Sequence, residues 1–294
     1  MNKNFNNKDT KYFSLYKPLS KHQKPFIVSS PHSGNIFLNG SDTFKIKNPK
    51  KYLYMQDIYI NDMIYGFHNH GISVLKNYIS RLVIDLNRSK EEIDSKFIKD
   101  IPNDYKISIS SKVKAGLGLI PFKDILGKKI YEEKLPWTEV CFRIEKFYNP
   151  WHLILKEQIK ELSQVFDFVF IIDLHSMPSK DALGNKVSDF VIGNNFDISS
   201  SKLSREILGD IIKSKGYSCS YNKPYSGGYI TTNYSDIEKN IECIQIEINK
   251  SLYIDESTYQ KSNNYKKFNK NLQDIILEFF NLIYSKNNNK IAAE

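Results

Sequence analysis

Short β-branched runs, each closed by a polar cluster, alternate along the chain with longer stretches where apolar residues return every three or four positions. Pro25 to Ser30, Ile72 to Leu75, Arg81 to Leu86, Phe168 to Leu174, Phe190 to Gly193 and Ile241 to Ile248 read as strands. In the last of these, Ile244, Ile246 and Ile248 share one face while Cys243, Gln245 and Glu247 share the other. Helical spacing runs over Gln56 to Phe67, through Ile60, Met63, Ile64 and Phe67, and Gly71 suits a helix stop. Leu135 to Tyr148 reads as a helix, and Asn149-Pro150 as a cap with a first-turn proline opening the next one (Trp151, Leu155, Ile159 and Leu162). Two more helices carry Leu203, Ile207, Leu208, Ile211 and Ile212, then Tyr265, Phe268, Leu272, Ile275, Phe279 and Ile283.

Strands that alternate with helices predict an α/β fold with a mixed, mostly parallel central sheet and helices on both faces. Residues 1–24 are polar and rich in Lys and Asn, and read as a loosely packed lead-in. Residues 25–294 show no repeat or compositional break and read as one domain. Within it, 89–132 is an irregular excursion with Gly116, Gly118, Pro121 and Gly127; one or two short strands and a flap over the site are expected there.

Composition narrows the function. At 294 residues, 40% hydrophobic and 26% charged, the chain can bury a sizeable core and is globular rather than disordered. No apolar run approaches the ~20 residues that span a membrane, and the polar start has no secretory core, so a cytoplasmic protein without a membrane partner is expected. Cys141, Cys219 and Cys243 are far apart and fit a reducing compartment. The net charge of +9 is spread over the whole chain with no dense basic block, so nucleic-acid binding is not expected. A diffuse positive field would still draw in a small anionic substrate.

Three of the predicted strands run on into chemistry-bearing residues: Phe26 to Ser30 into His32-Ser33-Gly34, Arg81 to Leu86 into Asn87-Arg88, and Phe168 to Leu174 into His175-Ser176. Strand ends are where α/β proteins place site residues. His32 and His175 suit a divalent zinc, which two imidazoles and a carboxylate would hold with a fourth position for water. Asp173, two before His175 on the same face, either orients that imidazole or caps its loop. Asp57 is the carboxylate candidate, and is also read as an ordinary acid at a helix start. Asn87-Arg88 is the anion clamp, with Arg81 assisting: a guanidinium fork takes a carboxylate bidentately and the amide adds a donor. Glu247, set among isoleucines, is either a general base whose pKa burial raises or a surface acid. Gly227-Gly228 either lets backbone approach a ligand or turns a hairpin.

These residues together resemble the N-formylglutamate amidohydrolase family. The matching stretches are Ser30-Pro31-His32-Ser33-Gly34, Ser80 to Arg88, Tyr148-Asn149-Pro150-Trp151-His152, Asp173-Leu174-His175-Ser176, Gly227-Gly228-Tyr229-Ile230-Thr231 and Gln245-Ile246-Glu247. The family is similar in fold to zinc carboxypeptidases and aspartoacylases, so the resemblance implies a three-layer α/β/α domain with a catalytic zinc. It implies His32 and His175 as ligands, Asn87-Arg88 on a substrate carboxylate and Glu247 as general base. The chain departs from that pattern twice. Asn35 stands where those relatives carry the Glu of a His-x-x-Glu pair, and Thr232-Asn233 stands where family members often read Arg-His. The implied activity is cleavage of an N-acyl amino acid, N-formyl-L-glutamate first, to formate and glutamate. The rival expectations are an amidase of the same fold acting on another acylated amino acid or peptide, and a metal-free binding module.

Overall fold

The computed structural model describes residues 8–9, 11–38, 46, 48–181 and 183–291. Its central sheet has eight strands: β1 (Lys8–Asp9), β2 (Phe13–Tyr16), β3 (Phe26–Ser30), β4 (Ser73–Asn77), β7 (Val169–Met177), β8 (Phe190–Gly193), β9 (Cys219–Tyr221) and β10 (Ile241–Asn249), in the order β1-β2-β4-β3-β7-β10-β8-β9. β4, β3, β7 and β10 run parallel, β8 joins β10 antiparallel, and β1 and β2 add an antiparallel edge. Two short pairs stand apart, β5 (Ile98–Lys99) with β6 (Leu135–Pro136) and β11 (Ile254–Asp255) with β12 (Gln260–Lys261). The sheet is mixed and mostly parallel at its centre, as the alternation of elements predicts.

Strand alternation splits the core in two. Ile27, Leu75, Val169, Ile171 and Cys243 face α3 (Trp137–Arg143) and α4 (Asn149–Ser163), where Trp151, Leu155 and Leu162 are buried. Phe26, Val28, Phe170, Ile172, Ile244 and Ile246 face α1 (Ile60–Ile64), α5 (Lys202–Ser214) and α7 (Tyr265–Ile291). The result is three layers, α/β/α. No helix among the described residues is long and apolar enough to cross a membrane.

The structure departs from the sequence reading at three places between Gln56 and Pro150, each for a local reason. Arg81 to Leu86 is not a strand. It is a buried series of turns, with Val83 N–H on Ser80 O (2.9 Å) and Asp85 N–H on Leu119 O (2.8 Å). An unbroken apolar run signals burial, and burial here is supplied by the excursion rather than by a sheet partner. Gln56 to Phe67 is a broken helix: 3-10 turns at Pro49–Met55 and Tyr65–His70 flank α1, and Tyr59 interrupts with φ 65°. Gly71 does close it, at φ 87°. Asn149 is no cap, because α3 passes through a π turn (Ile144–Tyr148) into α4. Asn149 N–H reaches back to Ile144 O, and Pro150, without an N–H, sits where the ladder slips by one residue.

The lead-in is not loose where it is described: Phe13 and Leu15 are buried and β2 extends the sheet. Its residues 1–7 and 10 lie outside the described residues. The excursion at 89–132 holds β5 and α2 (Ser111–Lys114), and Leu119, Ile120, Phe122 and Tyr131 sink into the same core as α4.

Candidate active site

Four parallel strands end on one edge, and there the face that carries Ile27, Ile171 and Cys243 turns polar. Ser29 pairs in register with Asp173, Asp173 with Gln245, and His175 with Glu247. Alternate residues share a face, so one hydrophobic stripe leads straight into a row of carboxylates, imidazole and amide. His32 lies just past β3, and its carbonyl accepts Asp57 N–H (3.1 Å), which brings the irregular segment before α1 against the sheet end.

His32, Asp57 and His175 converge. Each offers a ligand atom, all within 4.8 Å of one another and all buried. The two imidazole centroids are 4.7 Å apart. Asp57 Oδ2 lies 3.0 Å from His175 Nδ1 and 3.8 Å from His32 Nδ1. The other ring nitrogens are already engaged: His32 Nε2 on Asp85 Oδ1 (2.6 Å) and His175 Nε2 on Asp173 Oδ2 (2.8 Å). Asp85 is held in turn by Arg81 Nη2 (2.7 Å) and Asn87 N–H (2.9 Å), and Asp173 by Ser29 Oγ (2.7 Å). Carboxylates that fix each ring through Nε2 turn Nδ1 toward Asp57, as behind metal-binding histidines. His32 Nδ1 is buried with no hydrogen-bond partner. Such an orphan needs a reason, and a cation shared with Asp57 and His175 supplies one. The group could hold a metal ion, and its donors, two imidazoles and a carboxylate, suit zinc.

Burial and neighbouring charges set the protonation of each group. Burial, then the Arg81 charge, lowers His32 to about 4 and keeps it neutral. Burial works against the Asp57 carboxylate, yet His175 and His32 bring it down to about 2. Burial also opposes charge on His175, but Asp173 and Asp57 hold its pKa well above the ordinary value. Glu247 is buried, and that burial lifts it to about 7 against the pull of His175. Its Oε1 accepts from Gln245 Nε2 at 2.9 Å.

The remaining expected residues ring this group. Arg81 is tied to Asp85, and its charge acts on Asp57 and Glu247. Asn87 commits its amide nitrogen to Asp173 Oδ2 (3.2 Å) and Gln245 Oε1 (3.4 Å), and its oxygen accepts Ile230 N–H (2.8 Å). Arg88 donates to Leu117 O (3.0 Å) and Asn87 O (2.7 Å). Gly227, at φ 134°, and Gly228 precede α6 (Tyr229–Tyr234) rather than turning a hairpin. A Cβ on Gly228 would stand 2.3 Å from Asn87 Nδ2, so the close approach there is to Asn87. Asn35 is exposed, and the carboxylate beside the histidines comes from Asp57.

Sequence reasoning gave no role to Asp85, although it stands two residues before Asn87, as Asp173 stands two before His175. It also passed over Lys250, buried just past β10 with Nζ on Tyr54 O (2.9 Å).

The family description N-formylglutamate amidohydrolase matches residues 24–254. The chain belongs to that family. It is 30% identical over 250 residues to a protein named N-formylglutamate deformylase from Pseudomonas putida, covering 82% of this chain and 86% of that one. A protein of the same name from Pseudomonas aeruginosa is 27% identical over 238 residues, covering 79% and 83%. The crystal structure of N-formylglutamate amidohydrolase from Ralstonia eutropha JMP134 has the same fold: TM-score 0.85 at 24% identity, over 93% of this chain and 98% of that one.

The stretches that carry the N-formylglutamate amidohydrolase resemblance gather in space. Five supply residues already placed at or against the site. The sixth, Tyr148 to His152, backs it: Tyr148 donates to Arg88 O (2.8 Å), and His152 Nδ1 pairs with Tyr234 Oη of α6 (2.7 Å). Thr232 and Asn233, where the chain departs from the family's reading, lie on the exposed side of α6.

Proposed function

We propose that this protein hydrolyses N-formyl-L-glutamate to formate and glutamate, with a zinc ion or another divalent transition metal held by His32, Asp57 and His175. The observation that carries the reading is a buried acid poised near neutrality, Glu247, beside a His–Asp–His cradle with an orphaned imidazole nitrogen. The names of the Pseudomonas relatives support the substrate. An ion in the cradle supplies Lewis-acid chemistry, lowering the pKa of water and polarising a carbonyl.

The chain's own residues do the rest. Glu247 takes a proton from the attacking water as the C–O bond forms at the formyl carbon and then delivers it to the nitrogen, after which the C–N bond breaks and glutamate leaves as an amine. Arg88 presents its guanidinium to the substrate α-carboxylate, and the carbonyls of Leu117 and Asn87 fix its plane. Asn87 ties Asp173, Gln245 and α6 into one frame.

The test is formate release from N-formyl-L-glutamate by the purified protein, before and after chelation and with zinc returned, beside N-acetyl- and N-succinyl-glutamate. The reading expects about one metal per chain and formyl preference. Under one metal per chain with no turnover on added zinc would mean a binding module instead.

A further inference from the structure

Asp57 divides its two carboxylate oxygens between two neighbours. Oδ2 faces the imidazoles, 3.0 Å from His175 Nδ1 and 3.8 Å from His32 Nδ1. Oδ1 accepts the hydroxyl of Ser176 at 3.3 Å, its one hydrogen bond among the described residues. Asp57 is buried, so each oxygen must find its partner inside the protein. Its main chain is held on both sides, N–H on His32 O (3.1 Å) and carbonyl under Ile60 N–H (3.3 Å). With the backbone fixed, the freedom that remains is rotation of the side chain, and Ser176 holds it from the side away from the rings.

Ser176 is well placed to do so. It lies in β7 immediately after His175, is buried, and pairs in register with Ile248 of β10. Alternation sends His175 and Ser176 to opposite faces of the sheet. The Asp57 carboxylate sits across that edge and gives one oxygen to each. The arrangement has a chemical consequence. A carboxylate that offered both oxygens to one ion would occupy a position that two imidazoles and a single oxygen leave to water.

We propose that Ser176 is a positioning residue: its hydroxyl holds Asp57 Oδ1 away from the cradle, so that Asp57 meets an ion through Oδ2 alone. This rests on the reading of His32, Asp57 and His175 as a metal site.

The metal-free wild type, Ser176→Ala and Ser176→Thr are each loaded with cobalt(II), whose visible absorption is strong when four-coordinate and weakens as ligands are added. The wild type should show the intense bands. Ser176→Ala should show the weaker ones, because the released Oδ1 turns to the ion, and Ser176→Thr, which keeps a hydroxyl, should resemble the wild type. On N-formyl-L-glutamate, Ser176→Ala should lose about tenfold or more in kcat with KM nearly unchanged, and Ser176→Thr should regain most of it. Matching spectra for the wild type and Ser176→Ala, or a wild type that already shows the weak bands, overturn the role of Ser176. A wild type that takes up no cobalt overturns the metal reading instead. Crystal structures of the metal-free wild type and Ser176→Ala then decide Ser176 separately: a carboxylate of Asp57 that has turned supports the assignment, and one that keeps its orientation overturns it.

Discussion

Each imidazole in the site works through a carboxylate behind it. Asp85 on His32 and Asp173 on His175 settle which nitrogen faces the cradle. Asp85→Asn should therefore weaken metal affinity by about 10- to 100-fold while His32, Asp57 and His175 stay in place, as a chelator competition would measure. Glu247→Gln makes the opposite split: metal content is kept and kcat falls by about 10²–10⁴. A base acts only when deprotonated, so wild-type kcat/KM should fall as pH drops through about 7. A divalent ion nearby moves that limb to lower pH. Glu247→Gln should lack the limb, and one that persisted would belong to another group. Arg88→Ala should raise KM for carboxylate substrates, and Arg88→Lys should not restore it, because an ammonium cannot form two parallel bonds. The histidines were legible in the sequence because each stands at the end of a buried apolar run, although His175 is still inside β7, and alternation placed Glu247 opposite the isoleucines without deciding between base and surface acid. Asp85 was not, since its partner His32 is 53 positions away and only the folded chain joins them.

Elements that fail to form regular structure do much of the positioning. Arg81 to Leu86 supplies Arg81 and Asp85 and leads into Asn87 and Arg88, and it is pinned by the excursion and by Arg143, whose Nη1 donates to Val83 O (2.9 Å) and Tyr131 Oη (2.7 Å). Its apolar content was legible, but its conformation was not, because the partner for Asp85 N–H is Leu119 O in a distant irregular segment. The helix before α1 breaks for a similar reason: Asp57 N–H bonds to His32 O instead of continuing a helical ladder. The Gly228 contact offers an element-scale test. An added Cβ must displace the Asn87 amide, and with it the tie between β7 and α6. Gly228→Ala should cost about tenfold in kcat/KM. Combined with Asn87→Ala, it should cost no more than Asn87→Ala alone, because both changes remove the same interaction. Additive losses would show that Gly228 acts on something other than Asn87.

Across the whole molecule, the site is where two kinds of burial meet. The face of the sheet under α4 is apolar along Ile27, Ile171 and Cys243, and it ends in buried acids and imidazoles that only a dense hydrogen-bond frame makes tolerable. Alternation of strands and helices was enough to give the three layers. The edge strands β1 and β2 were hidden because a Lys- and Asn-rich stretch masks the short Phe13/Leu15 alternation. A frame built around an orphaned imidazole nitrogen beside a buried carboxylate should be tightest when a cation fills it. An ion that binds the folded chain and not the unfolded one stabilises by about 2.7 kcal/mol at a hundred times its Kd. For a domain of this size that is a rise of roughly 5 °C in Tm. Zinc added to the chelated protein should give such a rise in a thermal melt, and His32→Ala, which deletes the orphaned nitrogen, should abolish it. An equal rise in His32→Ala would place the ion somewhere other than between these two rings.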